Sequence, residues 1–205
     1  DSDGIVPRHI DSIAFEDVRF KYPGSGSYVL DGLSFQIGKG ETVGIVGLNG
    51  SGKSTIIKLL LRLYRPESGA IKINGIDIGK YEPRSFYDAF GCVFQESARL
   101  AMSIRENICI RPRGKEYGQE ACAKEAYDAE KIDHILSVLQ LEDWIHSLPN
   151  GLDTILTKEF DDDGTEPSGG IWQKLSIVRA IYNESEVIIM DEPSASIDTE
   201  TEKMI

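Results

Sequence analysis

The sequence predicts an α/β fold with a parallel-sheet core, a small antiparallel β-subdomain and a helical subdomain, and three observations predict it. Residues 41–46 read as a buried strand, and Val187-Ile188-Ile189-Met190 is a continuous apolar run of the kind buried on both sides of a parallel sheet. The first leads through a glycine-rich turn into a helix-like run at residues 56–63, a strand–turn–helix order of an α/β core. Around them lie segments of period-two alternation near the N-terminus and a long stretch of helical periodicity over residues 97–148.

In order along the chain, residues 1–10 are polar, carry a Gly and a Pro, and read as a linker. Residues 13–22 alternate as a half-exposed strand, residues 23–27 form a turn-rich loop, residues 29–37 give a second strand, and Gly38-Lys39-Gly40 turns the chain into the 41–46 run. Residues 70–78 read as a hairpin in which Asn74-Gly75 supplies the positive φ angles, so these strands are expected to form a small antiparallel sheet. Residues 90–95 are a short apolar strand ending in Gln95, and helical stretches follow at 121–128 and 132–141. Asn150-Gly151 is a turn, and the acidic loop 161–164 fails the EF-hand spacing. Ser168-Gly169-Gly170 opens a helix over 171–182 whose apolar positions 171, 175, 178 and 182 share one face. The run 187–190 ends in Asp191-Glu192-Pro193, and ligands in open α/β sheets bind at such carboxyl ends of strands. There is no internal repeat and no low-complexity tract.

The length of 205 residues fits one sizeable domain, and Lys+Arg 22 against Asp+Glu 34 gives a net charge of −12. That balance argues against an extended basic face, so no nucleic-acid partner is expected. Cys92, Cys109 and Cys122 are odd in number and lack zinc-like spacing, and they read as reduced thiols used for packing. No run approaches the roughly 18–20 apolar residues of a membrane span, no signal peptide opens the sequence, and the polypeptide by itself is expected to be soluble.

The chemistry concentrates in Gly47-Leu48-Asn49-Gly50-Ser51-Gly52-Lys53-Ser54-Thr55, a complete G-x-x-x-x-G-K-[ST] phosphate-binding loop. Several phosphate charges need many backbone N–H donors at close range, and glycines let the main chain approach where a Cβ would clash. Lys53 reaches the outer phosphates, Ser54 can ligand Mg²⁺, and the following helix points its positive end at the anion. A flexible Gly/Ser turn is the competing reading, and the flanking strand-like and helix-like runs argue against it. No N-K-x-D motif follows the loop, so a guanine-specific site is not expected.

Several further motifs stand in order after or before this loop. Tyr22-Pro23 lies upstream; Phe94-Gln95-Glu96, Ser168-Gly169-Gly170, residues 187–193 and Ala195-Ser196-Ile197-Asp198 lie downstream. Over nearly the whole chain this set resembles the nucleotide-binding domain of ATP-binding cassette (ABC) transporters, where such motifs are the A-loop, Q-loop, signature, Walker B and D-loop. The resemblance implies a P-loop NTPase (RecA-like) core at about 41–69, 81–95 and 171–205, a β-subdomain at about 11–40 and 70–80, and a helical subdomain at about 96–170. It implies an ATPase whose ligands are ATP and Mg²⁺. Tyr22 offers a ring on which adenine stacks, although a core aromatic is the competing reading. Asp191, Ser54 and Gln95 serve Mg²⁺, Glu192 polarises the attacking water as general base with Lys53 and Gln95 in support, and Ser168, Gly169, Gly170 and Asp198 meet the nucleotide of an opposing subunit.

The implied partners are a second nucleotide-binding domain, identical or different, and a transmembrane domain fused upstream, which would place the protein at the cytoplasmic face of the cell membrane. Residues 103–108 resemble the stretch of exporter-type members beside which the membrane domain docks, so residues 100–108 are the expected partner surface; a capped helix start is the competing reading. The sequence departs from the family pattern at Pro167 and Ile171, where the signature usually has Leu and Gln, and only Glu159 fits the exporter-specific loop. His9, His134 and His146 are misplaced for the family's switch histidine, so the chain reads as a fragment with weak hydrolysis of its own. Two other functions compete: a superfamily ATPase acting on ribosomes or DNA, which the acidic charge disfavours, and a nonhydrolytic switch, which Asp191 and Glu192 disfavour.

Overall fold

Alternating apolar residues build the first strand, β1 (Ser12–Phe20), but with one change of phase: Ile13, Phe15, Val18 and Phe20 are buried while the adjacent Glu16 and Asp17 are both exposed. The pairing register shifts between Phe15 and Val18, and Asp17 takes φ 47°, so a β-bulge restores the apolar residues to one face. The computed structural model describes residues 4–7, 9–94, 99–110, 128–159 and 164–191. The chain divides into two units, Asp1–Ala89 and Phe90–Ile205.

In the first unit, β1 lies between β2 (Leu30–Gly38) and β3 (Ser68–Ile73), and β4 (Ile76–Asp77) completes an antiparallel sheet of order β2-β1-β3-β4. Phe15 pairs with Phe35 and Ile71 on its two sides and stacks on the Phe35 ring at 4.6 Å. On the opposite face Lys72 Nζ meets Glu16 Oε2 at 2.6 Å. The β3–β4 turn is the expected one, with Asn74 at φ 51° and Gly75 at φ 76°. Helix α1 (Lys53–Leu60) and a short α2 (Pro83–Asp88), capped by the Glu82 carboxylate accepting from the Arg84 and Ser85 amides, complete the unit.

Residues 41–46 correct the sequence expectation. They join no ladder among the described residues, and Val43, Ile45 and Val46 are exposed, Val46 at 92%. Composition alone does not make a strand; a buried central strand exists only when neighbours take up its backbone N–H and C=O groups, and no described strand pairs with this run.

The second unit is organised around one long helix, α6 (Gly169–Tyr182). Parallel strands β5 (Phe90–Val93) and β6 (Val187–Met190) pair beside it, and α3 (Ile104–Cys109) and α4 (Ala129–Val138) pack against it, with α5 (Glu142–His146) next to α4. Gly91 permits the close approach of α6 to β5: a Cβ there would sit 2.8 Å from the Ala180 Cβ. Two expectations change here. Burial of α6 is not confined to the 171/175/178/182 face, because Trp172, Ile177 and Ala180 are buried as well. Conversely, β6 is largely half-buried, with only Ile189 fully inside, since β5 is its single ladder neighbour among the described residues. The helical stretch at 121–128 lies, except for Asp128, outside the described residues.

Cys109 is buried and Cys92 half-buried, and burial pushes the Cys92 thiol up to about 11. At pH 8 only about one Cys92 in a thousand is then a thiolate. Alkylation of Cys92 by iodoacetamide at pH 8, followed by mass spectrometry, is expected to be roughly a hundredfold slower in the folded chain than in urea.

Candidate nucleotide-binding site

In the first unit the predicted phosphate loop is an exposed arch delivered to the start of α1. Residues 47–51 are exposed, Gly50 and Gly52 take φ 82° and 96°, and Ser51 N donates to Leu48 O at 3.0 Å. Gly52 is the N-cap of α1, and no side chain caps it. The first amides of a helix have no partner within the helix, so this end presents free donors and the positive end of the helix dipole together. At Gly52 a Cβ would lie 3.0 Å from Leu30 Cδ2 and 3.3 Å from Val29 O, in a backbone conformation that L-residues avoid. The sheet thus fixes the point at which the loop becomes helix. Val29 and Leu30, which form this wall, carry no motif, and only their place at the strand entry marks them in the sequence.

Lys53 Nζ donates back across the arch to Gly47 O at 2.8 Å and Leu48 O at 3.1 Å. The ammonium charge therefore rests over the loop on neutral carbonyls, which an incoming phosphate oxygen outcompetes. Ser54 is exposed in the first turn of α1, whereas Thr55 is 4% exposed and shares a hydrogen bond of 3.0 Å with the Tyr22 hydroxyl. That bond fastens the chain just past β1 to the start of α1. The half-buried Tyr22 ring meets Phe20 and Tyr64 edge-on, at 5.0 and 5.3 Å, and Lys58 Nζ lies 5.7 Å from its centroid.

The second unit carries the other predicted residues. Ser168 is the N-cap of α6, where its hydroxyl accepts from Ile171 N at 3.4 Å, and both Ser168 and Gly169 are exposed. A second helix N-terminus with an open hydroxyl and a glycine pair is thus presented to solvent, with Gly170 half-buried behind it. Asp191 stands at the carboxyl end of β6, held by donation from its backbone N to Val93 O at 3.0 Å. Gln95, Glu192 and Asp198 lie outside the described residues. Within the expected partner surface, Ser103 and Glu106 form a reciprocal capping box, and Ile104, Arg105, Asn107 and Ile108 are buried. The segment is a capped helix start, and Met102 in it is an exposed large apolar residue.

A glycine loop feeding an uncapped helix, with a lysine folded over the arch, defines the chain as a P-loop nucleotide-binding protein. The comparisons narrow this to a family. The family model described as ABC transporter matches residues 30–195, and the chain belongs to that family. It is 34% identical over 98% of its length to the leukotoxin translocation ATP-binding protein LktB of Mannheimia glucosida, covering 26% of that protein. It is 36% identical to the subtilin transport ATP-binding protein SpaT of Bacillus subtilis, over 95% of this chain and 30% of that one. Among solved structures, a bacterial Atm1-family ABC exporter with ATP bound superposes with a TM-score of 0.79 at 31% identity, covering 98% of this chain and 32% of that one. The chain thus spans between a quarter and a third of the length of these relatives. The match bears out the P-loop α/β fold, and the chain is an ATP-binding domain of the ABC class, whose members are ATPases.

Proposed function

We propose that this chain is the ATP-hydrolysing motor of an exporter, in which two cassettes close on MgATP and the closure drives a transmembrane domain at the cytoplasmic face of the membrane. The observation that carries the reading is the phosphate loop: Gly52 at φ 96°, the uncapped start of α1 and Lys53 over the arch, in a chain of the ABC transporter family. The relatives named for translocation and transport support the exporter assignment.

In this reading Gly47, Leu48, Asn49, Gly50, Ser51, Gly52, Lys53, Ser54 and Thr55 cradle the phosphates, and Tyr22 receives the adenine ring. Ser168, Gly169, Gly170 and Asp198 serve the nucleotide of the opposing cassette. The donors assigned to the metal are the Ser54 hydroxyl, the Asp191 carboxylate and the Gln95 amide, an all-oxygen set that suits Mg²⁺. The metal, when bound, neutralises charge on the phosphates. Glu192 takes the proton from the attacking water. The three-part division into a β-subdomain, a RecA-like core and a helical subdomain belongs to the same proposal.

Calorimetric titration with MgATP tests the binding step directly. In the whole transporter, Glu192→Gln is expected to retain MgATP binding and lose at least about tenfold in turnover, as a removed general base does. Undiminished phosphate release by that variant would assign the base elsewhere.

A further inference from the structure

A polar network in the second unit joins the loop before α3 to the last turn of α6. Asn107 Nδ2 is directed at the carbonyls of Leu100, Met102 and Ser103, at 3.1, 3.3 and 3.1 Å. From the other side Arg179 grips the same residue: its Nε donates to Asn107 O at 2.7 Å and its Nη2 to Asn107 Oδ1 at 3.1 Å. Donors and acceptors fix the orientation of the amide, because a flipped Asn107 would set Nδ2 against the guanidinium and Oδ1 against carbonyls. Asn107 is 1% exposed, so each bond is screened from water and costly to leave unmade. Burial lowers the pKa of Arg179 from its usual value, and the two accepting oxygens compensate its charge.

A second route runs between the same two places. Leu156 N donates to Met102 O at 2.9 Å and Ile104 N to Thr154 O at 3.1 Å, while Thr165 N donates to Ile155 O at 2.9 Å and Thr157 N to Thr165 O at 2.8 Å. Thr165 stands three residues before Ser168, at the entrance to α6. The loop 100–103 is therefore tied both to the approach of α6 and, through Asn107, to a point on the helix some 16 Å further along at 1.5 Å per residue. One fastening holds the segment that enters α6 and the other the last turn of the helix itself, so the two resist rotation of the loop against the helix as well as translation.

We propose that Asn107 and Arg179 are positioning residues that make loop 100–103 and α6 move as one body, so that a partner pressing on Met102 displaces the Ser168–Gly170 end. The consequence for nucleotide rests on the functional reading above; the mechanical link does not. Both ends of the link lie within one unit, and neither Asn107 nor Arg179 is assigned a contact with ATP or metal.

Hydrogen exchange on the 205-residue chain, without nucleotide, tests the link. Asn107→Asp keeps the oxygens facing Arg179 but cannot donate to the loop carbonyls; Arg179→Lys keeps the charge but loses the two-point grip. Each is expected to speed exchange about tenfold both at Met102 and Ile104 and at Trp172 in the first turn of α6, while Ile135 and Leu136 in α4 hold their protection. Loosening confined to the substituted end, or spread equally into α4, would overturn the proposal. If Asn107→Asp does not fold, Arg179→Lys carries the same test. A chain that shows the linked exchange yet fails to bind MgATP would refute the nucleotide reading and leave the link in place.

Discussion

Lys53→Ala is expected to lower the affinity of the chain for MgATP about a hundredfold while leaving the fold intact. The two effects separate because, among the described residues, the Lys53 ammonium donates to the loop carbonyls Gly47 O and Leu48 O, on an arch that is otherwise exposed. Losing exposed hydrogen bonds of this kind changes stability by about 0.5 kcal/mol or less. A charged donor facing phosphate is worth about 1.5–3 kcal/mol, and a hundredfold in affinity corresponds to about 2.7 kcal/mol. Calorimetry on both proteins measures the affinity. Thermal unfolding gives a second readout, since a ligand at a hundred times its dissociation constant stabilises the native state by about 2.7 kcal/mol, and at that concentration the variant should keep only a small part of the gain. A variant that binds MgATP as tightly as the parent sequence would remove Lys53 from the site and with it the reading of residues 47–55 as a phosphate cradle.

What the sequence revealed and what it concealed divide along physical lines. Local signals carried well: Asn74-Gly75 turns β3 into β4 because both residues take positive φ, and Ser168 caps α6 because a hydroxyl before a glycine pair suits a helix start. The bulge in β1 was missed: residues 13–22 read as plain alternation, whereas the structure shifts phase between Phe15 and Val18. Pairing was not visible. Residues 41–46 and 187–190 both read as buried strands, yet only the second has a ladder partner among the described residues, and a sequence does not announce which segment will lie alongside.

The candidate site shows the same contrast. The candidate phosphate loop stands out in the sequence because phosphate imposes glycines, a lysine and a hydroxyl at fixed spacing. The residues that hold this loop were not: Val29 and Leu30 act through shape at Gly52, and the Thr55 hydroxyl acts through one bond to Tyr22. Nor does any motif pair Asn107 with Arg179, which lie 72 positions apart in sequence. Contacts between distant positions are products of the fold, and they decide how precisely the legible residues are placed.

Phe15→Ala is expected to produce the opposite phenotype from Lys53→Ala, a large loss of stability with little intrinsic change in nucleotide affinity. Phe15 is 2% exposed, occupies the central strand of the antiparallel sheet, and is flanked by Phe35 on β2 and Ile71 on β3. Truncation deletes the stacked ring and leaves a cavity between neighbours that belong to a continuous ladder and cannot close over it, so the cost is about 3–5 kcal/mol. Domains are stable by only about 5–15 kcal/mol, so the midpoint of urea unfolding should fall markedly. The phosphate loop is touched indirectly, since the wall against Gly52 is built at Val29 and Leu30, at the far end of β2 from Phe35. At low temperature, where the variant is still folded, its MgATP dissociation constant should therefore stay within about threefold of the parent's, which is under 1 kcal/mol. A stability loss below about 1 kcal/mol would mean that the sheet tolerates the cavity and that the loop's support comes from elsewhere. A hundredfold loss of affinity in the folded variant would mean that the sheet transmits strain along its length to Gly52.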